Sequence, residues 1–268
     1  MFHSHALSCA TLGLCALVSA GCVGTTGGNV VDFDAAASGP TGAGAGAPLD
    51  FSNSLGWQIE LTTAKLHVGA IYLVQTQPTS GAQGTDCILP GTYVAQVTDG
   101  LDVDLLSGEA QPFPVRGHGT TELALSGQVW LTQGPVDEAE QPANLPILSL
   151  EGSATRAGEV RPFSAALTIS SSNRLPNAST SEFASPICKQ RVVSPILTAV
   201  QIEERGGLLL RVDPRLFFVN VDFGALTLGP DGVNFVFADD SSDQPSANLY
   251  QNLRASGGLY TFSWVPNL

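Results

Sequence analysis

Two histidines beyond the N-terminal leader, His67 and His118, and several closely spaced aspartates are the side chains best suited to chemistry in this chain. A histidine is the usual general base and, beside a serine and an aspartate, activates a nucleophile. His118 stands in Gly117-His118-Gly119, which predicts a loop, so one expectation is a secreted-type hydrolase with a loop-borne site there. No Gly-x-Ser-x-Gly elbow supports that chemistry. His67 lies in the strand-like run 65–72, where a half-buried structural histidine is expected. The aspartates suggest a different chemistry, since calcium takes clustered carboxylates and carbonyls on exposed loops. Asp102 and Asp104 share one strand face, and Asp239, Asp240 and Asp243 sit together in a loop. Neither group has the ordered spacing of a calcium loop, so solvated acidic faces are the plainer expectation and no other cofactor is implied.

Trp57 and Trp264 are in phase with their apolar neighbours, but Trp130 is not. In 122–132 the apolar positions are Leu123, Leu125, Val129 and Leu131, which places Trp130 with Glu122, Ser126 and Gln128. A tryptophan on a wet face can stack on a sugar ring or anchor a protein partner. A bulge at Gly127 would instead turn it inward.

The elements that must position these residues are strands. Trp57, Ile59 and Leu61 alternate with polar residues, as do Leu101, Val103 and Leu105. The same period recurs at Phe163 to Ile169, Ile196 to Ile202, Phe217 to Phe223, Val233 to Phe237 and Tyr260 to Trp264. Period two with Gly, Pro, Asn and Ser breaks predicts strands with one buried and one wet face. Only 246–256 predicts a helix, capped just after Pro245 and stopped by Gly257-Gly258. The expected fold is an all-β antiparallel β-sandwich with one short C-terminal helix, a β-barrel being the alternative. The Ser-rich stretch 170–185 is either a long loop of one domain or a division between two lobes.

The net charge is −13, from 24 acidic and 11 basic residues, and Lys65 and Lys189 are the two lysines. Such a chain, with no cluster of Lys or Arg, is unsuited to binding nucleic acid or an anionic membrane by charge.

Residues 6–20 form an apolar run without a charged side chain, of signal-peptide length and too short to span a bilayer. Ala20-Gly21-Cys22 follows, and the stretch resembles the signal and lipobox of bacterial lipoproteins; cleavage after Ala20 by ordinary signal peptidase is the alternative. The resemblance covers 1–22 only and implies lipid on Cys22, anchorage in the bilayer, and, with Val23 after the cysteine, the outer membrane. Lipidation leaves Cys87 and Cys188 as an exported pair, expected to form a disulfide worth on the order of 4–5 kcal/mol for a loop of about 100 residues. The expected domains are a signal peptide at 1–21, a flexible tether at 22–48 and the β-sandwich at 49–268. The tether would reach roughly 30 Å. The function expected is that of a non-enzymatic binding or structural module with an envelope protein or glycan as partner.

Overall fold

The computed structural model describes residues 27–76, 91–132, 146–169 and 192–268. Cys22, Cys87, Cys188 and the stretch 170–185 lie outside them. The chain is all-β with one helix. Its strands run β1 (Val30–Ser38), β2 (Leu49–Ser52), β3 (Gln58–Val68), β4 (Ala70–Val74), β5 (Tyr93–Val97) and β6 (Leu101–Asp104). They continue with β7 (Gln111–Pro112), β8 (Gly117–Thr120), β9 (Leu123–Trp130), β10 (Pro146–Arg156) and β11 (Glu159–Thr168). Last come β12 (Val192–Gln201), β13 (Gly207–Val212), β14 (Thr227–Leu228), β15 (Phe235–Phe237), the helix α1 (Gln244–Leu253) and β16 (Tyr260–Val265).

Two sheets form. A nine-stranded sheet has the order β12-β9-β4-β5-β8-β1-β13-β16, with β7 beside β1. Its end strands β12 and β16 pack on each other, so it is nearly closed, like a barrel. A seven-stranded sheet has the order β14-β15-β11-β10-β3-β2, with β6 beside β3. Both are mixed rather than purely antiparallel, because β1 runs parallel to β13 and β11 parallel to β15. One apolar core joins their inner faces, from Phe33, Ile71, Val129 and Leu210 on one side to Leu61, Leu66, Leu150 and Phe163 on the other. Each such fully buried side chain contributes roughly 1.5–3 kcal/mol.

The expected tether is corrected by β1. Residues 30–38 are a strand within the nine-stranded sheet, paired with β13 on one side and β8 on the other. Val31, Phe33, Ala35 and Ala37 face the core, and Phe33 meets Trp264 edge-on at 5.1 Å. Small side chains there let the strand sit close to the opposite layer, although their composition resembles a linker.

Two further expectations change. The run 217–223 is apolar at alternate positions but not a strand; it spans the end of the 3-10 turn Pro214–Phe218, a short link, and the start of the 3-10 turn Phe223–Ala225. Pro214 presets the first turn, and Asp213 and Asp222 each accept an amide N–H two residues on. Side-chain amides replace a neighbouring strand: Asn53 donates to the carbonyls of Phe218 and Val221, and Asn252 to those of Phe217 and Val219. The helix starts earlier than expected, because Asp243 is the cap, accepting from Ser246 N at 2.7 Å, and Pro245 fits its first turn.

Candidate functional site

His118 is on a strand, not in a loop. Its two glycine neighbours explain the misleading signature. A side chain at Gly117 would begin 2.1 Å from the Phe33 ring, and one at Gly119 2.6 Å from the Val94 carbonyl. The inner face of β8 is therefore full, and only glycine fits on either side of the outward-pointing histidine. Register then sets a polar row across the outer face of the nine-stranded sheet. Gln128 of β9 faces Tyr72 of β4, which faces Gln96 of β5, then His118 of β8, then Asp32 of β1.

The row ends in an ion-pair geometry, with His118 Nδ1 2.8 Å from Asp32 Oδ1 and both side chains well exposed. Arg116 donates to Asp34 Oδ1 at 3.1 Å and to the Asp32 carbonyl at 2.8 Å, so its charge is already occupied. At the other end three aromatic rings form a ladder. Tyr72 meets Trp130 edge-on at 5.5 Å and Tyr93 edge-on at 5.5 Å. Tyr93 is 45% exposed. Burial raises the pKa of both tyrosines, and the neighbouring Tyr93 raises that of Tyr72 further, so both are neutral phenols at physiological pH.

A bulge makes this arrangement. Three positions apart on a regular strand, Tyr93 and Gln96 would point to opposite faces. The ladder between β4 and β5 slips between Leu73 and Val74, leaving Val94 as the extra residue. Phase flips there and both side chains emerge on the outer face. Between them lies a shallow depression of about 180 Å³, walled by Tyr93, Gln96, His118 and Thr120 over a floor of Val94 and Gly119. Thr120 Oγ1 donates to the Val94 carbonyl at 3.4 Å.

Trp130 has the phase that its spacing predicts and not the exposure. It shares the outer face with Gln128 and Tyr72, opposite to Val129, yet is only 3% exposed. Ala70, Tyr72 and Val192 pack with it, and its indole N–H donates to Gln128 Oε1 at 3.3 Å. It is the buried foot of the ladder rather than a contact surface.

The aspartates separate into individual roles. Asp102 pairs with His67, Oδ1 to Nδ1 at 2.7 Å, on the outer face of the seven-stranded sheet, and His67 is 14% exposed. Asp104 accepts from Leu106 N. Asp239 accepts from the amide and hydroxyl of Thr168, each at 2.7 Å, Asp240 from Ser242 N, and Asp243 caps α1. Among the described residues no group of three or more His, Cys, Asp or Glu converges. Also among them, no helix is long and apolar enough to cross a membrane. The residues missed at the sequence level are Asp32, Tyr72, Tyr93 and Gln96. Alternation of Asp32 and Asp34 with Val31, Phe33 and Ala35 was a usable signal for the first.

Neither a protein-family model nor a curated protein matches this chain. Among solved structures, MbnP from Methylosinus trichosporium is similar over 88% of this chain and 99% of its own, with 12% identity and a TM-score of 0.40.

Proposed function

We propose that this chain is an envelope-anchored, non-enzymatic binding module whose ligand face is the outer surface of the nine-stranded sheet around Tyr93, Gln96 and His118. The observation that carries this is the exposed end of the aromatic ladder beside the His118–Asp32 pair, in a depression on an otherwise tightly hydrogen-bonded sheet. Rigid aromatic anchors beside a few polar groups are how such surfaces fix a ligand. A hydrolase at His118 has less support, because the hydroxyl in the wall, Thr120, is directed at a backbone carbonyl.

On the same proposal Cys22 carries lipid, Cys87 and Cys188 form a disulfide, and the protein is exported to the outer membrane. Residues 23–29 are then all that separates the anchor from β1. Gly28 and Asn29 of that segment are already bonded to Glu122 and Thr121, so they belong to the domain rather than to a tether. The ligand face thus works close to the bilayer.

The test is a photo-crosslinking amino acid at Gln96 in the full-length protein in cells, with Glu60 on the other sheet as control. A discrete adduct from position 96 and none from position 60 is expected. Adducts from neither position, or equally from both, would overturn the assignment of this face.

A further inference from the structure

The depression has a chemistry that selects among ligands. Its floor belongs to β5 and β8, interior strands hydrogen-bonded on both sides, so a peptide cannot be added there as an extra strand. At about 180 Å³ it is smaller than the usual 300–1,000 Å³ of a pocket for a drug-sized molecule. It suits one unit of a larger ligand. One wall is a nearly half-exposed phenol ring. Along the adjoining row stand a carboxamide, an imidazole and a carboxylate: Gln96, His118 and Asp32.

These groups match a sugar ring. The C–H face of a pyranose is apolar and packs flat on an aromatic ring, while its hydroxyl groups both donate and accept in the ring plane. Gln96 offers a donor and an acceptor, Asp32 acceptors, and His118 Nε2 an acceptor, because its Nδ1–H donates to the Asp32 carboxylate. Charge narrows the choice further. Asp32 and Asp34 lie at the end of the row, Arg116 is committed to them, and the whole chain carries −13. An acidic sugar would be repelled.

Building on the binding face described above, we propose that this depression holds one neutral hexopyranose unit of a glycan, stacked on Tyr93 with its hydroxyls on Gln96, His118 and Asp32. Titration calorimetry of the full chain with cellotetraose, maltotetraose, N-acetylchitotetraose and tetragalacturonate tests it. Saturable binding of at least one neutral tetrasaccharide is expected, with tetragalacturonate about tenfold weaker or worse. Tyr93→Ala should weaken binding by about tenfold or more and Tyr93→Phe should preserve it. Gln96→Ala, at an exposed position, gives a second variant that leaves the core untouched and should also weaken binding. No saturable binding by any neutral sugar at millimolar concentration, equal binding of the acidic one, or indifference to both alanine variants would each overturn the proposal. A protein adduct at position 96 without sugar binding would remove the glycan and leave the binding face standing.

Discussion

The ring of Phe262 fills the space that a side chain at Gly127 would enter, for a Cβ there would fall 2.2 Å from Phe262 Cε2. Gly127 is on β9, one strand in from one end of the nine-stranded sheet, and Phe262 is on β16 at the other end. This contact fills the seam where the sheet nearly closes. Gly127→Ala should therefore destabilise the protein by about 1–3 kcal/mol through overpacking. Adding Phe262→Ala should cost less than the sum of the two single changes, because the cavity receives the new methyl. Urea unfolding of the four proteins measures this, and strict additivity would show that the two sites do not touch.

A second seam joins the 3-10 turns to β3. Trp57 donates its indole N–H to Asp222 at 3.0 Å, and the Arg156 guanidinium lies 4.2 Å above the indole ring. Partial burial opposes ionisation of Asp222. The Trp57 and Gly224 N–H groups and the charges of Arg156 and Arg161 outweigh it, so its pKa is below the usual value. A depressed carboxylate pKa stabilises the fold above the unfolded value, about 3.9, and the gain disappears as pH falls through the folded value. The Tm difference between the native protein and Asp222→Asn should be largest near neutral pH and shrink below about pH 4. A gap that stayed constant down to about pH 2.5 would assign the loss to packing alone.

The alternating runs around Trp57, Leu101, Phe163 and Phe262 made the all-β fold legible, since burial of one face leaves a period of two in the chain. What stayed hidden was non-local. Parallel pairing of β1 with β13 leaves no mark in either segment. The bulge at Val94 that unites Tyr93 and Gln96 depends on the slip against β4, not on any glycine. The run 217–223 looked like a strand because its apolar residues alternate, but amides from Asn53 and Asn252 satisfy its carbonyls in place of a neighbouring strand. His67 and Asp102 were each visible, but only register on β3 and β6 joins them.

β1 supplies a direct test of where the domain begins. Without it, β8 and β13 would each expose an unpaired edge, and the seat of Phe33 would be empty. Loss of one buried phenylalanine costs about 3–5 kcal/mol. That alone is comparable with a typical total stability of about 5–15 kcal/mol, before the lost ladders are counted. A chain starting at residue 49 should be aggregated or unfolded by circular dichroism and size exclusion, whereas one starting at 27 should fold as the full chain does. A cooperative, monomeric 49–268 fragment would return residues 30–38 to the tether.

Trp130 decides whether the aromatic ladder is a supported scaffold. Only its outer end, Tyr93, is well exposed; the indole is boxed by Ala70, Tyr72, Val192 and its bond to Gln128. In a variant with Trp57→Phe and Trp264→Phe, Trp130 emission should be blue-shifted and protected from acrylamide. Tyr72→Ala should shift that emission to the red, since one wall of the box is gone. Tyr93→Ala should shift it less than Tyr72→Ala does, because the Tyr93 ring packs on Tyr72, which itself packs on the indole. A red-shifted, freely quenched Trp130 in the parent would place the indole in solvent and make it, rather than Tyr93, the contact ring.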